Sequence, residues 1–225
     1  MIINCDIGEG IGNETELFPF IDAASIACGY HAGDENSMRR MLDGCLGSGV
    51  KAGAHPSFFD RKNFGRKEME IPGEIIYEWV REQLYSLDRI MKELGGKLYH
   101  VKPHGALYNM SARDRSIAFT IAKAVHDHDP GLVLFGLRNS ISLEEAEKVG
   151  LETAHEIFAD RTYREDGSLT PRTEPGALIE EEELMISQLK RMMKLPHADT
   201  VCIHGDGAHA VSFAKRIHHL IRDTP

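Results

Sequence analysis

Four histidines share one setting. His31 follows Ser25-Ile26-Ala27-Cys28-Gly29-Tyr30, and His55 closes Val50-Lys51-Ala52-Gly53-Ala54. His104 follows Leu98-Tyr99-His100-Val101-Lys102-Pro103, and His204 closes Val201-Cys202-Ile203. Each ends a short apolar run of strand character and is followed by a loop or turn signal. Imidazole is the side chain best suited to proton transfer and metal ligation near neutral pH. If the strands lie parallel, their carboxyl ends meet on one face and the imidazoles converge there. The pattern points to an enzyme.

Other chemistry-bearing residues stand next to these histidines. Cys5-Asp6-Ile7-Gly8-Glu9-Gly10 places the carboxylates of Asp6 and Glu9 among glycines that allow close backbone approach, though the same string also makes an ordinary glycine turn with solvated acids. Lys102 stands two residues before His104, so an extended backbone turns both to one side. A lysine inside an apolar strand is costly without a partner or a task. His100 shares that parity, with a place in the barrel interior as its alternative, and Tyr108 and Asn109 complete the segment. After His55-Pro56-Ser57, a polar loop carries Arg61 and Arg66, either of which could clamp a carboxylate or phosphate, or be plain surface charge. A second charged loop holds Asp160 and Arg161 and runs on from Tyr163 to Arg172, as a lid or an exposed excursion. His204-Gly205-Asp206-Gly207 opens a helix. Gly205, Gly207 and the following amides could cradle an anion there, while Asp206 could orient a base, hold a metal or cap the helix. The GxxxxGK[ST], GxSxG and HExxH motifs are absent, which removes support for phosphate-loop ATPases, serine hydrolases and zincins.

These residues are positioned by an alternation of strands and helices. Strand-like runs fall near 1–5, 24–30, 50–54, 98–102, 131–136, 153–158 and 200–204. Asp34 can cap a helix whose apolar face is Met38, Met41, Leu42, Cys45 and Leu46, stopped by Gly47 and Gly49. Pro72 opens a longer helix with Ile76, Val80, Leu84, Leu87, Met91 and Leu94 on one face. Further helices fit 114–127, 142–149, 180–193 and 207–222. Seven strands alternating with helices predict a parallel sheet with right-handed crossovers. Site-like residues follow at least six of the strands. An open sheet would gather them at one switch point, so the spread predicts a TIM-like barrel of seven parallel β/α units, filling 1–225 as a single domain.

The bulk numbers narrow the function class. A net charge of −9 opposes nucleic-acid binding. No apolar run approaches the roughly 20 residues that span a membrane. The start of the chain lacks the basic and apolar regions of a signal peptide, and Cys5, Cys28, Cys45 and Cys202 show no framework spacing. Reduced, buried thiols in a cytoplasmic protein are therefore expected.

Seven linked strings, CDIGEG, IACGYHAGD, GAHPSFFDR with NFGR, HVKPHGALYN, FADRTYREDGSLTPR, GALI and CIHGDGAHA, occur in one order over nearly the whole chain. The ordered set resembles the LamB/YcsF family, which includes the A component of the bacterial ATP-dependent 5-oxoprolinase. Members usually read NADLGEG where this chain has Asn4-Cys5-Asp6-Ile7-Gly8-Glu9-Gly10, and the acids are kept. The stretch between Met193 and Thr200 looks shorter than in some relatives, without touching the motifs. The resemblance implies a seven-stranded barrel distantly similar to polysaccharide deacetylases. It further implies cleavage of 5-oxo-L-proline to L-glutamate, coupled to hydrolysis of ATP to ADP and phosphate, in a complex with 5-oxoprolinase subunits B and C. ATP would be held largely by those partners or at Gly205 and Gly207.

Phosphorylating the lactam oxygen would turn it into a leaving group and open the carbonyl carbon to water. On that reading Asp6 and His31 position water. Lys102 and His104 stabilise the phosphorylated oxygen, and His204 and Asp206 complete the polar ring. Arg61 or Arg161 binds a carboxylate or phosphate. Glu9, His55, Tyr108, Asn109 and Asp160 line the substrate site, with His55 shaping its mouth. Two rival readings remain. One is a metal-dependent amide hydrolase or deacetylase working without ATP, its ligands Asp6, His31 and either His55 or His104. The other is a non-catalytic barrel that binds a metabolite and regulates its partners.

Overall fold

The computed structural model describes residues 1–204 and 210–223, with the side chains of His204 and Asp223 outside the description. Seven strands, β1 (Ile2–Ile7), β2 (Ala23–Ala27), β3 (Lys51–His55), β4 (His100–Val101), β5 (Val133–Leu137), β6 (Thr153–Phe158) and β7 (Thr200–His204), form a closed barrel. They pair in parallel in chain order, and β1 closes the ring by pairing with both β2 and β7. Around the sheet run α1 (Glu35–Ser48), α2 (Gly73–Glu93), α3 (Gly105–Ser111), α4 (Arg115–His128), α5 (Ile141–Lys148), α6 (Glu182–Met192) and α7 (Ala210–Asp223). The expected (β/α)7 barrel is what forms. No described helix is long and apolar enough to cross a membrane.

Local rules account for the outer helices. Asp34 accepts from the Ser37 amide while the Ser37 hydroxyl receives the Asp34 amide, a reciprocal cap that starts α1. Gly49, left-handed at φ 70°, ends it. The stripe Ile76, Val80, Leu84, Leu87, Ile90 and Met91 of α2 is buried against the sheet. Asp114 caps α4 through the amides of Ser116 and Ile117.

Strand alternation splits β1 by chemistry. Ile3, Cys5 and Ile7 join the large apolar cluster between sheet and helices. Asn4 and Asp6 turn to the barrel axis, where Ser25, His100, Lys102, Glu156 and Thr200 are also buried. A small apolar floor of Ala23, Val133, Phe135 and Ala154 closes the amino-terminal end. His100 lies on that floor, its ring stacked on Phe135 at 4.2 Å and its Nε2 3.0 Å from the Ser25 hydroxyl. Gly53 makes this possible, because a Cβ there would stand 2.4 Å from the imidazole.

Two differences from the sequence expectation bear on the site. β2 stops at Ala27 rather than near residue 30, so His31 rides on a turn beyond the strand. α3 begins directly after His104, in a stretch that carries no helical stripe of its own length.

Candidate metal centre at the barrel mouth

The site is assembled from the four segments at the carboxyl ends of β1 to β4. Gly8, at φ 77°, turns the chain after β1 so that Glu9 folds back over the mouth. Phe64 and Gly65, both left-handed, fold the loop after β3 over the start of α3. There the Ala106 amide donates to the Gly65 carbonyl at 2.9 Å. A Cβ on Gly105 would meet that carbonyl oxygen at 2.5 Å, so the crossing requires glycine. The rings of His31 and His104 stack 3.8 Å apart, and His55 meets both edge-on.

Four donor atoms converge. His31 Nε2 lies 3.0 Å, His104 Nδ1 3.4 Å and His55 Nε2 3.9 Å from Glu9 Oε1. His104 Nδ1 and His55 Nε2 are 2.9 Å apart, and one donor from each of the four residues lies within 4.8 Å of every other. Donors about 2.0–2.2 Å from a tetrahedral ion stand roughly 3.4 Å from one another. The observed spacings bracket that value.

The outer ring nitrogens explain why the inner ones carry lone pairs. His55 Nδ1 donates to the Lys102 carbonyl at 2.6 Å, and His104 Nε2 to the Phe64 carbonyl at 2.9 Å. The Ser57 hydroxyl donates to the Phe58 carbonyl, which leaves its oxygen to accept from His31 Nδ1 at 3.1 Å. Ser57 is in turn held by Gln83 of α2, whose amide bonds both its N–H and its C=O. Each imidazole thus spends its hydrogen outward on a fixed acceptor, the arrangement that fixes the tautomer of metal-bound histidine. Burial, then the neighbouring His55, pushes His31 well below the usual imidazole range. Burial, then His31 and His55, does the same to His104. Burial also works to lower His55, but the charge and hydrogen bond of Asp6, with Oδ2 3.4 Å from Nε2, outweigh it and raise that group, so Nε2 presents a lone pair only after giving up the proton that Asp6 favours there.

Beneath the cluster lies a buried ionic network. Lys102 Nζ reaches Asp6 Oδ1 at 2.8 Å and Glu156 Oε1, Asn4 Oδ1 and Cys202 Sγ at 3.0 Å each. Burial opposes the ammonium, yet Asp6, Cys202 and Glu156 together hold it well above its ordinary range. The Tyr108 hydroxyl donates to Glu156 Oε2 at 2.8 Å, and burial, then the Glu156 charge, raises that phenol. When ionised, Asp6, Glu9 and Glu156 set three buried negative charges against one ammonium. A divalent cation in the cluster above would balance them.

A cavity of about 890 Å³ opens over this floor. Asp6, Glu9, His55, Lys102, His104, Tyr108 and Asn109 line it, with Arg66, Arg138, Arg161 and Arg172 around the rim. Burial, then the charge of Arg172, lowers Arg161 to about 10. Its guanidinium donates to the carbonyls of Ala177 and Thr170, fastening the excursion between β6 and α6 over one side of the cavity.

A family model for the LamB/YcsF family matches residues 1–224. The chain belongs to this family. A lactam utilization protein from Thermus thermophilus is 36% identical, with a TM-score of 0.90 over 99% of this chain and 96% of that one. A putative cellobiose-phosphate cleavage protein from Enterococcus faecalis shares 10% identity at a TM-score of 0.59, over 99% of this chain and 92% of that one. The catalytic domain of a peptidoglycan N-acetylglucosamine deacetylase from Eubacterium rectale shares 11% at 0.54, over 99% and 83%. These last two share the fold.

This LamB/YcsF chain gathers some of the sequence-derived candidates and parts others. Asp6, Glu9, His31, His55, Lys102, His104 and Tyr108 meet at the mouth. The carboxylate among the converging donors is Glu9 rather than Asp6, because Lys102 holds Asp6 Oδ1 deeper in the barrel while the Gly8 turn brings Glu9 over the top. His55, expected to shape the mouth or, on the metal-dependent reading, to stand as an alternative ligand to His104, lies inside the cluster together with His104. Arg61 lies outside the large cavity and donates to the Gly33 carbonyl beside a separate cleft. Asp160 is not part of the cavity lining either. The side chain of His204, and Gly205, Asp206 and Gly207, lie outside the described residues. The sequence reading missed Ser57, Gln83 and Glu156. Gln83 interrupts the apolar stripe of α2, and Glu156 sits inside β6 much as Lys102 stands at the end of β4, so the same cost argument marks both.

Proposed function

We propose that this LamB/YcsF protein is a metal-dependent hydrolase that opens a small anionic lactam or related amide. One observation carries the reading: three imidazoles, each with its outer nitrogen hydrogen-bonded away, aim their remaining nitrogens at one point shared with Glu9. Glu9, His31, His55 and His104 would hold the ion. When bound, it supplies Lewis-acid activation of a carbonyl or of water at the cavity floor. Asp6, oriented by Lys102, would take the proton from attacking water and pass it on to the leaving nitrogen as the ring C–N bond breaks. Lys102 spends its ammonium on four acceptors and so orients Asp6. The rim arginines suit a carboxylate on the substrate. A lactam fits what the Thermus relative is described as using.

The finer reading is ATP-coupled opening of 5-oxoproline, by this chain in the cytoplasm with subunits B and C. It rests on the ordered motifs, and the rim arginines would suit a phosphorylated lactam as well as a carboxylate. One assay series separates the two. The purified chain, chelated and then reloaded with zinc or another divalent ion, is tested for 5-oxoproline hydrolysis with and without ATP and the two partner subunits. Turnover that disappears on chelation and returns with the ion supports the metal-dependent site. Full ATP-dependent turnover by a chelated complex, unchanged in His31→Ala and His104→Ala, would sink it.

A further inference from the structure

Glu9 is a ligand candidate on a loop that should not hold still. Gly8, Gly10 and Gly12 have φ of 77°, 85° and 92°, and glycine gives the backbone the most conformational freedom to lose. What fixes this loop is a second carboxylate. Glu14 Oε1 accepts the amide of Glu9 at 2.7 Å and that of Gly10 at 3.2 Å. Glu14 is 3% exposed and lines neither the large cavity nor the neighbouring cleft, so it meets no substrate there. It opens a 3-10 turn, Glu14–Glu16, that runs into Leu17 and Phe18. Both are buried in the main core. The Phe18 ring lies so close on Gly44 of α1 that a Cβ there would stand 2.5 Å from it.

We infer that Glu14 is a positioning residue for the metal centre: it transmits the rigidity of the Leu17–Phe18 anchor to the Glu9 backbone and so sets the affinity of the cluster for a divalent cation. A buried carboxylate beside an already anionic site is costly unless it accepts hydrogen bonds, and here one oxygen accepts two. The role depends on reach rather than on charge. Glutamine keeps the accepting oxygen at the same distance, whereas aspartate keeps the charge but withdraws it by one methylene. The inference rests on the metal reading proposed above.

The test is zinc titration of chelated wild type, Glu14→Gln, Glu14→Asp, Glu14→Ala and His104→Ala by calorimetry, with thermal unfolding of each metal-free protein. Loss of an outer partner to a metal ligand typically weakens affinity about 10–100-fold. The expected result is that loss in Glu14→Ala and Glu14→Asp, with Glu14→Gln within a few-fold of wild type. A merely structural Glu14 would lower the melting temperature of the metal-free protein and leave the zinc Kd unchanged, which overturns the inference. Glu14→Asp binding like wild type while Glu14→Gln does not overturns it too, and this pair decides even if Glu14→Ala fails to fold. Wild type and His104→Ala that bind zinc equally weakly, or not at all, remove the metal reading and the inference together. Strong wild-type binding that Glu14 variants do not alter removes the inference alone.

Discussion

His100 ties the stability of the barrel floor to pH. The ring is fully buried between Gly53, Phe135 and the Ser25 hydroxyl, and its Nδ1 has no hydrogen-bond partner among the described residues. Burial, then the Lys102 charge, lowers it to about 3. In the unfolded chain it titrates near the ordinary value of about 6.5. Between these values the unfolded chain binds a proton that the folded one refuses, so stability falls as pH drops from about 6.5 toward 3 and is unaffected above that window. At about pH 4.5 the unfolded chain has gained roughly two units of protonation free energy, or about 3 kcal/mol at 1.36 kcal/mol per unit. That is a large share of the roughly 5–15 kcal/mol that holds a domain together. Glutamine at this position keeps a polar end for Ser25 and cannot charge. Urea unfolding of wild type and His100→Gln, with chelator present, at about pH 7.5 and about pH 4.5 gives four stabilities. The wild type should lose about 3 kcal/mol more than the variant between the two pH values, whatever the variant's absolute stability. Parallel losses would show that the floor admits water or a proton at His100, and would refute the reasoning.

Two further substitutions probe the polar core and the glycine crossing. Lys102→Met leaves the carboxylates of Asp6 and Glu156 buried without their ammonium, so it should cost about 3–5 kcal/mol in denaturant unfolding and abolish turnover. Adding Glu156→Gln should recover part of the stability and none of the activity. Gly105→Ala combines a left-handed φ of 56° with a Cβ 2.5 Å from the Gly65 carbonyl oxygen. It should cost at least about 1–3 kcal/mol, and it should weaken zinc binding by displacing the Phe64 carbonyl from His104. A wild-type melting temperature would mean that the loop has slack.

Much of the frame is legible in the sequence because it follows periodic rules. Met38, Met41, Leu42 and Cys45 mark the buried face of α1, and Asp34 marks its start. The shared parity of His100 and Lys102 places both on the barrel axis, and the cost of a buried lysine marks Lys102 as partnered. The site itself is less legible, because three of its determinants leave no periodic mark. The acceptors that fix His55 and His104 are main-chain carbonyls, of Lys102 and Phe64, and any residue supplies a carbonyl. Which acid of Asp6 and Glu9 reaches the histidines depends on a backbone turn at Gly8 that composition does not reveal. His31 lies beyond the end of β2, so strand parity could not predict where it points.

The four converging donors all lie between residues 9 and 104, at or just beyond the carboxyl ends of the first four strands. The rim arginines at 138, 161 and 172, and the excursion that carries the last two, belong to the remaining three. The first arc therefore holds all four donors and shares the chamber above them with the second, Arg66, Tyr108 and Asn109 lining one side and Arg138 and Arg172 the other. They are stitched together beneath by Lys102 and Glu156, which face each other from β6 and the end of β4. Substitution in the later arc can remodel what the chamber accepts while the grasp is retained. Such a chain could diverge in appetite without reinventing its chemistry, provided that one internal stitch is kept.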